Sequence, residues 1–150
     1  MNKAYDSPVH SSSTAQPRAP LPWKLILLLG SIALIRPLMH ITGITDDAGG
    51  IQKGMLAIGA TVVISAVWIT VVVLAKVQRP FLTLVLAGLA YAVLSMVLSA
   101  VLSPILEGEL QGPFAHPIAI PTVLLVNAVW GAVTGGIALG TRALLSTSNR

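Results

Sequence analysis

The sequence contains no cysteine. This absence excludes a disulfide framework, a thiolate metal site and a cysteine nucleophile, and it leaves the redox compartment undetermined. Charge is also scarce, since Asp, Glu, Lys and Arg together make up 9% of the 150 residues. Soluble domains carry about 25% charged residues, so this chain lacks the polar surface that a water-soluble protein of its size requires.

Acidic residues are rarer still, with five against nine Lys and Arg, which gives a net charge of +4 and a pI near 10.0. A basic chain can be a nucleic-acid-binding protein, but that function requires the cations to cluster on one soluble surface. Here they are scattered along the chain. We therefore expect no nucleic-acid partner.

Hydrophobic residues dominate what is present, at 55% of the chain and a mean hydropathy of +0.86. A helix needs about 20 apolar residues to cross a hydrocarbon core of ~30 Å. Four stretches reach that length, at about 22–42, 55–75, 81–106 and 118–139. They predict an all-α integral membrane protein, a four-helix bundle spanning residues 21–145, with the lipid bilayer as its first partner.

None of the four stretches contains Asp or Glu, which excludes catalysis by paired carboxylates within the membrane. The acidic and histidine residues outside them do not fall at recognised metal-ligand spacings. With no catalytic or cofactor motif either, we expect no enzyme, no cofactor and no metal site.

The two ends of the chain differ in composition from the apolar stretches. Residues 1–20 hold four Ser and three Pro and almost no large apolar side chain, which predicts a disordered tail because too little surface can be buried to offset the ordering entropy. Residues 146–150 are predicted to be a second short tail.

Orientation is predicted from the Lys and Arg beside the helices, which are retained in the cytoplasm. Two cations, Lys53 and Arg36, fall on one side of the predicted membrane. Seven fall on the other: Lys3, Arg18, Lys24, Lys76, Arg79, Arg142 and Arg150. We therefore predict that both termini are cytoplasmic. The plasma membrane, as a bacterial inner membrane, is expected from size and composition.

Two short matches favour an internal duplication, in which the chain consists of two helical hairpins arranged as parallel repeats. Residues 34–39 resemble residues 102–106, and this match aligns Pro37 with Pro104. Residues 65–68 resemble residues 127–130 and align Trp68 with Trp130. Chance similarity between apolar segments is the alternative.

Arg36 is the most unusual residue in the four stretches, because a charged side chain at the centre of a membrane helix costs about 2.5 to 3.5 kcal/mol. It shares a helical face with His40, four residues on, and the duplication aligns His40 with Glu107. With Asn127 of the fourth helix they form a candidate polar site, Arg36, His40, Glu107 and Asn127, in which the Glu107 carboxylate would pair with the Arg36 guanidinium. In the alternative interpretation, Arg36 extends to the lipid headgroups and has no function.

Small residues recur along the last two stretches and predict a packing seam between helices. They are Gly88, Ala92, Ser95, Ser99 and Ser103, and Gly131, Gly135, Gly136 and Gly140. The alternative is a narrow polar path. Trp68 and Trp130 lie mid-helix, so their indole N–H groups need partners inside the bundle, for which we expect Ser95 or Ser99.

Two functions remain compatible with the sequence. The first is a non-enzymatic accessory or structural membrane protein that assembles with itself or with a larger complex through the glycine-rich face of the fourth helix. The alternative is a small transporter or channel subunit with the candidate polar site near its outer mouth. The two functions differ in the position of the Arg36 side chain. A transporter or channel requires it to face the interior of the bundle, and not the lipid headgroups.

Overall fold

The computed structural model describes residues 20–41, 49–106 and 108–148, apart from the side chains at positions 40, 41 and 53. These residues form helices and turns and no strand, which confirms the all-α class. The helices are α1 Trp23–Ala33, α2 Ile35–Ile41, α3 Gly50–Leu74, α4 Pro80–Leu106 and α5 Ala119–Ser148. Of the two predicted tails, residues 1–19 and 149–150 lie outside the described part, whereas residues 146–148 belong to α5.

Three of these helices, α3, α4 and α5, are long and apolar enough to cross a membrane. They contain 25, 27 and 30 residues, which at 1.5 Å per residue exceeds the ~30 Å hydrocarbon thickness. The apolar stretches at 55–75, 81–106 and 118–139 therefore locate these helices. Two of the helices extend well beyond their apolar stretches. The first is α3, which begins at Gly50, and the second is α5, which continues to Ser148.

The first apolar stretch, where one helix over 22–42 was expected, is divided into α1 and α2 at Leu34. Proline at position 37 has no N–H to donate to the Ala33 carbonyl, and its ring crowds that carbonyl. The chain tightens there instead, with the Leu34 N–H donating to the Ser31 carbonyl at 3.0 Å. The interruption falls two residues before Arg36, which belongs to the first turn of α2.

A Schellman motif ends α3 and begins the turn to α4. The Val77 N–H donates to the Val72 carbonyl at 3.3 Å, and the Lys76 N–H donates to the Val73 carbonyl at 3.1 Å. Lys76 takes the left-handed conformation, φ 48°, that this motif usually gives to glycine. Val72 and Val77 are both buried, so the motif's apolar contact fixes the turn against the core.

The helices pack around α4, which lies against α1 on one side and α5 on the other, while α3 packs mainly on α5. Hydrogen bonds join Ser65 to Trp130 and Val77 to Arg142. Both pairs have the same sequence separation, so α3 and α5 run in parallel. In contrast, Gly88 faces Asn127 and Gly135 faces Phe81, so α4 and α5 are antiparallel.

Two names are used below for the ends of this assembly. The Pro80 end is where α4 begins, and the Leu106 end is where α4 ends. Near the Pro80 end, Arg142 of α5 donates to the Val77 carbonyl, and threonines in the last turns donate back to their own helix. These bonds explain why α5 continues beyond the apolar stretch, which ended at residue 139.

Candidate functional site

A cavity of about 220 Å³ lies between the helices, near the middle of α4. Each of the five helices contributes to its wall. The lining residues are Ala33, Arg36, Thr61, Ile64, Trp68, Gly88, Tyr91, Val126, Asn127 and Trp130. It is called the Arg36 cavity below, because Arg36 is the one charged residue among the described residues that line it.

The Arg36 side chain lies beside the Tyr91 phenol of α4 and interacts with it electrostatically. Tyr91 is half-buried, whereas Arg36 remains exposed at the rim of the cavity. The guanidinium therefore has a polar partner within the protein and open space beside it. A cation in this position attracts an anionic group that enters the cavity.

Two polar side chains of the lining are bonded within their own helices. Asn127 donates one amide hydrogen to the Val123 carbonyl at 2.8 Å, and Thr61 donates to the Ala57 carbonyl at 2.8 Å. Back-bonding of this kind satisfies a polar side chain inside an apolar environment without any ligand. These two residues make the wall weakly polar, and they do not by themselves indicate a transport path.

Trp68 and Trp130 bond to groups that the sequence did not indicate. The Trp68 N–H donates to the Leu29 backbone carbonyl at 3.0 Å, and the Trp130 N–H donates to the Ser65 hydroxyl at 3.1 Å. Ser95 and Ser99, the expected partners, instead bond to Ala92 and to Ser103 and Gln111. The expectation was wrong because serines in a helix can bond to their own helix.

The duplication hypothesis treats the two tryptophans as equivalent, but their surroundings differ. Trp68 is buried, with 2% of its surface exposed, whereas Trp130 is 41% exposed. Their acceptors lie in α1 and α3, respectively. Likewise, α4 continues through Pro104, while the helix is interrupted near Pro37. The duplication remains a prediction.

Below Trp68, towards the Pro80 end, the space between the helices is filled by buried apolar side chains. This core consists of Leu29, Ala33, Trp68, Val72, Val77, Leu84, Ala87 and Ala138. Leu29, Val72, Leu84 and Ala138 have no exposed surface. The Arg36 cavity therefore lies next to this core and shares Ala33 and Trp68 with it.

The predicted glycine seam lies between α4 and α5. A Cβ atom added at Gly131 would lie 2.5 Å from the Leu84 carbonyl oxygen, and one at Gly135 would lie 2.9 Å from Phe81 Cα. A Cβ at Gly88 would clash with the Asn127 carbonyl. Backbone fills this interface at Gly131 and Gly135, whereas Gly88 also lines the Arg36 cavity. Gly136 and Gly140 instead face open space on α5.

The structure brings together two of the four candidate site residues, Arg36 and Asn127, which both line the cavity. His40 belongs to α2, but its side chain is outside the described part, as is Glu107. The proposed Arg36–Glu107 pair stays a prediction. The sequence analysis did not include Tyr91 in the candidate site. Tyr91 is the one tyrosine in the four apolar stretches, and this isolated phenol is a signal that could have identified it.

Comparison with other proteins gives no family for this chain. No family model matches it, and no curated protein or solved structure is similar enough to count as a match. Within residues 20–41, 49–106 and 108–148, no group of three or more His, Asp or Glu side chains could hold a metal ion. The Arg36 cavity is therefore interpreted from its geometry alone.

Proposed function

We propose that the chain crosses a bacterial inner membrane four times as a four-helix bundle, with both termini in the cytoplasm. Three crossings are those of α3, α4 and α5. The remaining one, which comes first along the chain, is formed by α1 and α2 together, which cover residues 23–41, or about 28 Å at 1.5 Å per residue. Breaks near proline are tolerated in membrane helices when neighbouring groups satisfy the freed backbone. In this orientation the Pro80 end is cytoplasmic and the Leu106 end is external.

Within this bundle we propose a non-enzymatic, accessory or structural role. The observation that supports the proposal is the cluster of buried apolar side chains between Trp68 and the Pro80 end, which lies beneath the Arg36 cavity. A structural protein can keep this core closed in its working state. A channel, in contrast, needs a path through the core for its solute.

Substituted-cysteine labelling tests this role well, because the natural chain has no cysteine to interfere. Asn127→Cys would be treated with a membrane-impermeant maleimide in right-side-out and in inverted vesicles. We expect reaction from the external face at most. Gln78→Cys and Gln111→Cys, both exposed and near opposite ends of α4, mark the two faces as controls. Labelling of Asn127→Cys from both faces would contradict the closed core.

Assembly with a second copy is proposed through the face of α5 that carries Gly136 and Gly140. These glycines are four residues apart and exposed, and nothing lies within 4 Å of a Cβ added to either. Small residues at this spacing let two membrane helices approach closely. We expect Gly136→Leu and Gly140→Leu to shift the native mass from dimer to monomer. Gly59→Leu, on an equally open surface of α3, is the matched control and should not.

A small transporter or channel subunit is the second candidate function, and the Arg36 cavity favours it. Arg36 and Asn127 line an opening that a solute could enter from the Leu106 end. Transport would require the core below Trp68 to open in another conformation. Labelling of Asn127→Cys from both faces would support this function, so the same experiment separates the two candidates.

A further inference from the structure

The Arg36 cavity combines one cation with three aromatic side chains. Tyr91, Trp68 and Trp130 line it together with Arg36, and the other described lining residues are uncharged. Aromatic rings bind other rings through stacked or edge-to-face contacts. A guanidinium binds a carboxylate through two parallel hydrogen bonds. These two preferences are met in one cavity.

The aromatic walls are held in position before any ligand enters. The indole N–H of Trp68 is bonded to the Leu29 carbonyl and that of Trp130 to the Ser65 hydroxyl. Ser65 is in turn bonded to the Thr61 carbonyl at 2.7 Å. A site with fixed side chains loses little conformational entropy on binding, so these bonds favour recognition of a ligand.

The volume limits the ligand to a small molecule. An apolar cavity of roughly 150 Å³ holds benzene, so about 220 Å³ has room for one ring and a carboxylate group. The closed core beneath Trp68 prevents a longer molecule from extending towards the Pro80 end. Because Arg36 is the one cation of the described lining, it can neutralise one negative charge and not two.

We infer that the Arg36 cavity is a binding site for a small aromatic monocarboxylate. The ring packs against Trp130, beside Trp68, and the carboxylate accepts hydrogen bonds from the Arg36 guanidinium and the Tyr91 hydroxyl. The inference goes beyond the accessory role and holds whether or not the ligand is transported. Binding requires no opening of the core, so it is tested separately from the labelling experiment.

Benzoate is the probe, and the full-length protein would be studied in phosphatidylcholine nanodiscs, whose lipid has no net charge to compete for Arg36. Isothermal titration measures binding, and quenching of tryptophan fluorescence in a Trp23→Phe background reports on Trp68 and Trp130, the remaining two of the three tryptophans. We expect saturable binding. Benzamide, the neutral analogue, should bind at least about tenfold more weakly because it lacks the charge-assisted hydrogen bonds.

Variants assign the binding to the cavity. Arg36→Gln should weaken benzoate binding by about tenfold or more, and Tyr91→Phe by a few fold, because a hydrogen bond to a charged group is lost in each. Lys24→Gln is the matched control, since it removes a cation from α1 outside the cavity lining and should leave the affinity unchanged. Circular dichroism checks that each variant keeps its helices.

Three results would overturn the inference. They are no saturable binding of benzoate, equal affinities for benzoate and benzamide, and an unchanged affinity in Arg36→Gln. If Arg36→Gln does not fold, the comparison of benzoate with benzamide and the Tyr91→Phe variant still decide the outcome. Nanodiscs containing phosphatidylglycerol identify the source of the anion: loss of benzoate binding there would mean that an anionic lipid headgroup occupies the cavity, and the small-molecule inference would be wrong.

Discussion

The indole N–H of Trp68 donates to the backbone carbonyl of Leu29 at 3.0 Å, and both residues are almost completely buried. This bond joins α3 to α1, two helices that otherwise touch little. A carbonyl oxygen has two lone pairs, so Leu29 can accept from Trp68 and from its own helix. The bond holds α3 over the core and forms the closed floor of the Arg36 cavity.

Replacement of Trp68 by Phe should destabilise the protein by about 1 to 3 kcal/mol, through loss of a buried hydrogen bond and of the space filled by the larger ring. Unfolding in mixed micelles measures the difference. Trp130→Phe is the matched control, because Trp130 is 41% exposed and bonds to a hydroxyl, and it should cost less. A larger loss for Trp130→Phe would show that the Trp68 bond does not hold α3 in place.

The helices themselves could be predicted largely from hydropathy, while their ends could not. Three apolar stretches locate α3, α4 and α5, because apolar runs of this length are stable in lipid only as helices. Hydropathy fails at Thr141 and Arg142, where the sequence turns polar but the helix continues. Here back-bonding and the contact of Arg142 with Val77 stabilise α5, and these are tertiary or local hydrogen bonds that an apolar pattern does not contain.

The α4–α5 seam predicts a sharp difference between two glycines of the same helix. Gly131→Ala should destabilise the bundle by about 1 to 3 kcal/mol, the usual cost of overpacking, because its Cβ would meet the Leu84 carbonyl at 2.5 Å and backbone cannot rotate away. In the monomeric bundle, where a Cβ at Gly136 meets nothing, Gly136→Ala should be neutral or slightly stabilising, since alanine is the better helix former. Thermal unfolding of the two variants makes the comparison. Equal losses would contradict the close α4–α5 packing.

The residues that line the Arg36 cavity differ in how far the sequence reveals them, for reasons that lie in their chemistry. Arg36 is recognisable from sequence because a charge in an apolar stretch is costly. Its contact with Tyr91 is not, because no spacing rule relates residues on α2 and α4. The acceptors of Trp68 and Trp130 were mispredicted for the same reason. A backbone carbonyl such as that of Leu29 carries no sequence signal.

The orientation predicts where reporter fusions are active. Fusions near Lys76 and after Arg150 should be cytoplasmic, and fusions near Asp47 and Glu109 external, because Lys and Arg flanks are retained inside. Because α3 and α5 run in parallel, the C-terminal ends of these two helices must lie on the same side of the membrane. A compartment reporter active in the periplasm when fused after Arg150 would contradict the proposed topology.

Arg36 provides the last prediction, which concerns its partner. In the structure, Arg36 interacts with Tyr91. The sequence instead predicts an ion pair between Arg36 and Glu107. If Glu107 pairs with Arg36, Arg36→Ala strands a carboxylate, and removing one partner of a buried pair costs about 3 to 5 kcal/mol. We expect the Arg36→Ala, Glu107→Ala double variant to be closer to wild type in unfolding free energy than either single variant.

Unfolding free energies of Arg36→Ala, Tyr91→Phe and the double variant should give a coupling energy of about 1 kcal/mol, because the two single changes remove the same interaction. Lys24→Ala combined with Tyr91→Phe is the control, and its losses should add, since Lys24 lies outside the cavity lining. Additive losses for Arg36 and Glu107 would exclude the ion pair. Additive losses for Arg36 and Tyr91 as well would mean that the guanidinium extends to the headgroups, and the cavity would then lose the cation on which anion binding depends.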